Sequence, residues 1–410
     1  MGRKQISCMT RRIDKGKLRR IALANQGLVK RQSFGRGLEA TSRTIRHLGH
    51  VQIDTISVVV RAHNHILRTR VPNFESHHID QLLKDRTIFE SRFPVAAFRP
   101  IQDFRFTLLH ARKFGSKAAS REAKAMMKRV LHRVRSEGPL RSRDFEDTRK
   151  KSDGWWDWKP AKRALEQLYF RGDLMISARD GFEKSYDLTE RVLPSSVDVS
   201  VPTIEEFASF LVDTTLRSHG FATYRSFSSG GRHGVPLGGS VKAELKHRTE
   251  TGRLAAFTAD GGFRFWADPS TLDREQPRIL KNARLLSPFD NLVNQRERLL
   301  EVFDFDYQIE CFVPEAKRRY GYFCLPILYS DRLIGRMDCK SHRNESRFEI
   351  KALFLEPEFA SRKRLAELVD PLSAAIVDYA HFDNCNDVVV TESTPTLAKP
   401  MLTKALGGYL

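Results

Sequence analysis

Gln52, Ile53 and Asp54 stand directly ahead of an apolar run, and the chain then sets His63 and His65 among Arg61, Arg68 and Arg70. In an extended segment, side chains two residues apart share a face, so Gln52 and Asp54 point together while Ile53 anchors the opposite side. The result is an amide and a carboxylate held together on an apolar backing. A structural alternative is that Asp54 caps a helix starting near Thr55 and Gln52 is an incidental surface amide. Spacing alone leaves both open. His63 and His65 could supply two metal ligands, but neither His77 and His78 nor any cysteine pair completes a recognisable set. No metal site is expected, and the two histidines read better as hydrogen-bonding neighbours of a site.

Other chemistries lack their motifs. There is no Gly-x-Ser-x-Gly, and Ser228 with Ser229 lies in a glycine-rich turn. No Gly-Lys-Ser/Thr follows the glycines at 230–239, so nucleotide hydrolysis drops out. The aromatics of WWDWKP, residues 155–160, could stack on bases, although aromatics beside a helix start more often anchor a core. Lys317, Arg318 and Arg319 enter a hairpin, where they could meet phosphates or guard a strand edge with charge.

The 410 residues carry 70 Lys and Arg against 50 Asp and Glu, a formal charge of +20. Such an excess points to a polyanionic partner, nucleic acid ahead of a membrane surface. The five cysteines show no Cys-x-x-Cys spacing and read as reduced thiols. No stretch nears the ~20 apolar residues of a membrane span, and the first residues lack an apolar leader core. A soluble cytoplasmic protein of roughly two to four modules is expected.

Apolar spacing predicts helices over 17–27 and 37–48, and a basic helix over 112–135. Gly138 and Pro139 break that helix. Ser142 and Asp144 offer cap chemistry for a short one, and a further helix runs from Pro160 to Arg171 with Gly172 behind it. Strands DLMISA and KSYDLT then form a hairpin. Helix, helix and hairpin is the winged form of the helix-turn-helix, whose second helix, here carrying Lys159, Lys162 and Arg163, enters or flanks a DNA groove. A second copy is expected over 201–270, and the first segment reads as a third with a rebuilt wing. From 284 a β-rich meander and a closing helix over 361–382 are predicted. The expected domains are 17–135, 136–194, 201–270 and 284–390, with 391–410 as a mobile tail.

Together with SPFDNLVNQRERLLEVFDFDYQIECFVPEAKRRYGYFCLPILYSDRLIGRMDCKSHR, from Ser287 to Arg343, the Gln-Ile-Asp segment strongly resembles the YcaQ/AlkX family of winged-helix DNA glycosylases that unhook interstrand crosslinks. The similarity spans about Ile21 to Phe382 and includes the phrases GPLRSRDF and YDLTERVLP. The family signature of Gln, an aliphatic residue and Asp falls on Gln52, Ile53 and Asp54. A sister group carries Gln at the last position, so Asp54 points to the broader crosslink-repair branch.

The resemblance implies an α+β fold, with tandem winged helix-turn-helix domains forming a C-shaped clamp closed by a β-rich C-terminal domain. It implies a monofunctional glycosylase, without metal or cofactor, that excises N7-alkylated purines from double-stranded DNA, crosslinked ones included. The protein would work as a monomer at the nucleoid. Asp54 would stabilise an oxocarbenium-like sugar and direct a water at C1′, with Gln52 positioning the water or the carboxylate. Arg61, His63 and His65 would lie near the lesion, and surrounding arginines would help keep Asp54 ionised. Arg68, Arg141, Arg143, Lys159, Lys162, Arg163, Lys317, Arg318 and Arg319 are the expected DNA contacts. A tethered purine cannot swing into a deep pocket, so an open cleft is expected.

The chain departs from the family at Arg92 and Pro94, where Trp and His are common, and at Asn291 and Asn294, where Pro and Trp are frequent. Two other classes remain: a winged-helix transcriptional regulator without catalysis, and a glycosylase/lyase using a lysine Schiff base.

Overall fold

The computed structural model describes residues 11–30, 32–93, 95–145, 160–181, 183–231, 235–260 and 262–408. Lys159, Pro94 and the Trp155–Trp158 cluster lie outside them. Caps fix where the helices start and stop. Gly37–Leu48 ends at Gly49, whose left-handed φ of 75° turns its N–H back to Ile45. Thr203 and Glu206 exchange side-chain bonds to each other's backbone N–H ahead of Ile204–His219. The basic helix expected over 112–135 is two helices, Leu108–Gly115 and Arg121–Glu137. Ser120 separates them because its hydroxyl accepts from the Ala123 N–H and starts the second.

One order of elements recurs three times: helix, strand, helix, helix, then two strands. In the first unit it is Gly37–Leu48, Val51–Gln52, Ala62–Arg70, His77–Lys84, Ile88–Ser91 and Ala97–Pro100. In the second it is Arg121–Glu137, Leu140–Arg141, the single turn Ser142–Asp144, Pro160–Arg171, Leu174–Asp180 and Glu183–Leu188. In the third it is Ile204–His219, Phe221–Thr223, Tyr224–Phe227, Gly238–Glu250, Ala255–Thr258 and Phe265–Ala267. Each unit pairs its last strand between the other two, and in the third Arg11–Arg12 adds a parallel edge strand.

Packing moves two expected boundaries. The helix Arg121–Glu137 belongs to the second unit, because Met127, Val130 and Val134 share a core with Leu165, Leu168 and Tyr186. The N-terminal helix Lys15–Asn25 leaves the first unit: Leu18, Ile21 and Leu23 pack with Phe257 and Phe265 of the third and with Val302 and Phe303 of the helix Arg296–Phe303. The first unit closes its own core around Ile45, Leu67, Leu82 and Phe98.

The C-terminal region is a five-stranded sheet, in the order Ala283–Leu285, Cys324–Tyr329, Arg332–His342, Arg347–Leu355 and Asp387–Thr394. The helix Arg362–Phe382 covers it. Residues 391–408 are not a loose tail: they complete the last strand and form the helix Ala398–Leu406, whose Ala398, Leu402 and Leu406 are buried in the same core. Their apolar spacing of four supplies the face that a Thr- and Pro-rich composition conceals. Among the described residues, no helix is long and apolar enough to cross a membrane.

Candidate functional site

Asp54 is held at a seam. Val51 and Gln52 pair with Phe98 and Ala97 in the first unit's sheet, and the Ile53 N–H still reaches Ala96 O at 2.8 Å. The chain then leaves the sheet. In the second and third units the corresponding strand runs straight into the next helical turn, whereas here residues 53–61 intervene before the helix Ala62–Arg70. Asp54 makes the bend by accepting the Ile56 N–H at 2.7 Å, a side-chain turn. No helix starts at Thr55, so Asp54 is a turn residue and not a helix cap. The far end of the insertion docks on the C-terminal sheet: Ser341 N–H donates to Val58 O at 2.8 Å, Arg343 donates to Ser57 O at 2.9 Å, and Val59 and Val60 enter that domain's core.

Asp54 looks into a cavity of about 720 Å³ between the first two units. One wall comes from the first unit: Ile53, Asp54, Thr55, Arg61, His63, Glu90 and Arg92. The facing wall comes from the second and includes Lys162, Glu166, Arg179, Lys184 and Tyr186. Buried carboxylates fix the cations there. Glu90, 2% exposed, accepts from Arg179 Nε at 2.7 Å. Glu166 accepts from Lys184 at 2.9 Å and from the Tyr186 hydroxyl at 2.8 Å, with the Arg92 guanidinium 3.9 Å away and lying over the Phe170 ring. Burial alone would raise the Glu166 pKa, but Lys184, Arg92 and Tyr186 bring it below the usual range. These charge-assisted bonds set the wall in place before any ligand arrives.

Asp54 is treated differently. It is half-buried, and burial pushes its pKa up, with the Ile56 N–H offsetting only part. No salt bridge reaches it among the described residues. The neighbouring arginines therefore do not hold it ionised, contrary to expectation. Burial, aided by Arg61 and Arg179, drives the His63 pKa down to about 3, so its imidazole is neutral. Its ring meets Phe98 edge-on at 5.6 Å.

The structure brings Asp54, Arg61, His63 and Lys162 to one cavity and sends other expected residues elsewhere. Gln52, at the last paired strand position, does not line it. His63 and His65 diverge because residues two apart on a helix do not face each other. His65 is buried: its Nε2 donates to Leu285 O at 2.9 Å, which leaves Nδ1 to accept from the Tyr379 hydroxyl at 3.4 Å. Arg68 pairs with Asp378 at 2.7 Å. Arg141 and Arg143 pair with Asp180 and Glu183 at the second hairpin, and Arg163 lies exposed on the same helix as Lys162. Lys317 and Arg319 are exposed, while Arg318 donates to Val313 O.

Glu90, Glu166, Arg179 and Lys184 were not legible as site residues. The signal was a pattern of alternation: Lys184 and Tyr186 share one strand face, and Glu166 interrupts an otherwise apolar helix side. Of the departures, Arg92 lines the cavity, whereas Asn291 and Asn294 bond His50 O and Phe289 O at 3.1 and 3.0 Å.

The family model described as DNA glycosylase AlkZ-like matches residues 45–382, a span that takes in Asp54, both cavity walls and four of the five strands of the C-terminal sheet. Among solved structures, the chain is similar to the Streptomyces sahachiroi DNA glycosylase AlkZ, with a TM-score of 0.61 and 13% identity over 93% of this chain and 99% of that one. The likeness in fold and the extent of the family match decide between the classes that charge and helices leave open: the chain belongs to the AlkZ-like DNA glycosylase family and is an enzyme, a DNA glycosylase.

Proposed function

We propose that the protein hydrolyses the N-glycosidic bond of N7-alkylated purines in double-stranded DNA, including purines tied into interstrand crosslinks, with Asp54 as the catalytic carboxylate. The observation that carries this reading is Asp54 itself: a carboxylate on the wall of a 720 Å³ cavity, with one backbone bond and, among the described residues, no ion pair to neutralise it. Alkylation at N7 makes the base cationic, so it departs as a neutral leaving group and needs no proton. What remains is a developing positive charge at C1′ and a water to attack it. A desolvated carboxylate supplies both needs, stabilising the oxocarbenium-like sugar and accepting the water's proton.

Gln52 is the expected positioning residue, two places ahead of Asp54, and its amide can donate and accept. Neutral His63 adds a hydrogen-bonding edge without repelling a cationic base, and His65 supports the helix behind it. Lys162, Arg179 and Lys184 face Asp54 from across the cavity and suit the phosphates on either side of the lesion. The three repeated units are read as tandem winged helices arranged as a clamp with the β-rich domain, working as a monomer on chromosomal DNA. Arg68, Arg141, Arg143 and Arg163 extend the basic surface. The chemistry asks for no cofactor. Lys184 is ion-paired with Glu166, a poor state for a Schiff-base nucleophile, and borohydride is expected to trap no protein–DNA adduct.

The test is release of base from a duplex bearing a nitrogen-mustard N7-guanine crosslink or an N7-methylguanine, comparing wild type with Asp54→Ala. Excision by the wild type, a large loss in the variant and retained DNA binding would support the assignment. Equal excision by both would move catalysis to another residue.

A further inference from the structure

Phe312 is 81% exposed, the most exposed large apolar side chain among the described residues. It occupies a corner of the turn Glu310–Val313, closed by the Val313 N–H to Glu310 O at 2.9 Å. The loop that carries it is rigid by construction. The Glu310 carboxylate accepts the N–H groups of Arg319, Tyr320 and Gly321 at 3.0, 2.8 and 3.1 Å, which ties the far side of the loop to the base of the turn. Gly321, at φ 135°, is required for that closure, because a Cβ there would sit 2.3 Å from the Asp338 carboxylate. Arg318 donates to Val313 O at 2.9 Å, and Tyr307 donates to Cys324 O at 2.7 Å, fastening the loop to the sheet.

Its location matters as much as its stiffness. Cys311, the residue before Phe312, packs on the C-terminal core alongside Ile56 and Val58 of the insertion that carries Asp54. Where the loop rejoins the sheet, the Phe323 N–H donates to Asp338 at 3.0 Å, and three residues further along the same strand the Ser341 N–H donates to Val58 O of the insertion at 2.8 Å. Burial, and after it the Asp54 charge, pushes the Cys311 thiol pKa up. Exposed Lys317 and Arg319 lie on the same loop. An aromatic ring held out in water on a loop that also exposes cations suits a partner with a polyanionic exterior and an apolar, stacked interior. Duplex DNA has both.

We propose that Phe312 enters the base stack next to the alkylated purine, with Lys317 and Arg319 on the flanking phosphates, and opens the duplex so that C1′ reaches Asp54 without full extrusion of the base. This rests on the reading of Asp54 as the hydrolytic carboxylate. A wedge serves a crosslinked purine well, since a base tied to the opposite strand can be unstacked but not swung out. Prior ordering of the loop removes the cost of fixing the ring at the moment of binding.

The test uses full-length protein and a duplex carrying a hydrolysis-resistant, 2′-fluorinated N7-methylguanosine beside 2-aminopurine. Wild type should brighten the 2-aminopurine by unstacking it. Phe312→Ala should bind the duplex, leave the probe dark, and excise the ordinary N7-methylguanine roughly tenfold or more slowly. Phe312→Leu, which keeps an apolar wedge, should recover much of both signals. Because the ring is exposed, thermal denaturation should not separate the variants from wild type. Phe312→Ala that brightens the probe and excises like wild type would overturn the wedge and assign the ring to a protein partner. A wild type that brightens the probe yet releases no base would instead sink the glycosylase substrate reading and leave the wedge standing.

Discussion

Asp54 and Asp290 are both withdrawn from water, and the protein uses them in opposite ways. Asp290 is completely buried and grips completely buried Arg70 through two bonds, Nη1 to Oδ2 at 2.7 Å and Nη2 to Oδ1 at 2.9 Å. Arg70 spends its remaining donors on Gln26 O, Gln26 Oε1 and Ile66 O, so the charge is fully answered. The pair joins the helix of the first unit to the N-terminal segment and to the loop leading out of the sheet's first strand. Asp54, only half-buried, has one backbone N–H and a raised pKa. A carboxylate that supports a fold is neutralised where it stands. One that performs chemistry is left short of partners, and its surroundings are made rigid instead.

The largest effect expected from this contrast is on Asp290. Asp290→Asn leaves Arg70 buried without its counter-charge, at a cost of about 3–5 kcal/mol in folding free energy. Thermal or urea denaturation would show it, and a loss below about 1 kcal/mol would mean the pair is not a structural keystone. Next comes Asp54→Ala, which should slow single-turnover excision by roughly 10²–10³-fold while DNA affinity is kept. Loss of affinity in step with rate would recast Asp54 as a binding group.

A pH profile sharpens the same point. The Asp54 carboxyl must be ionised to act, and burial raises its folded pKa. Excision should therefore fall on the acid side with a midpoint above the ~3.9 of an ordinary aspartate and be flat above it. A limb at or below the ordinary value, measured in single turnover to avoid product release, would contradict the desolvated environment.

Much of the architecture could be read from caps and periodicity, but the site could not be read as fully. The helices Gly37–Leu48 and Pro160–Arg171 stand where Gly49, Pro160 and Gly172 put them, since local chemistry sets local boundaries. The final helix failed because its burial depends on a distant sheet that composition does not reveal. Gln52 and Asp54 were singled out together by an alternation that holds only within a strand. The strand ends at Gln52, and of the two only Asp54 lines the cavity. The opposite wall was out of reach for a different reason. Glu90 and Glu166 are 76 residues apart in sequence and meet the same cation, Lys184, only after two units pack together.

The smallest expected effect is the most discriminating, because its sign differs between the two aspartates. A carboxyl whose folded pKa lies above its unfolded pKa binds more protons in the native state over that interval. Raising the pH through the interval then costs stability, and the cost persists at neutral pH as long as the group stays charged. Burial puts Asp54 in this class. Asp54→Asn removes the charge and keeps the shape, and the amide oxygen can still accept the Ile56 N–H that sets the turn. The variant should be no less stable than wild type at neutral pH, and slightly more so, with the gain vanishing in acid as the wild-type carboxyl becomes neutral. Denaturation midpoints at neutral and acid pH would decide it. If Asp54→Asn is destabilised like Asp290→Asn, Asp54 has a native partner that neutralises it, and its role is to build the seam and not to meet the sugar.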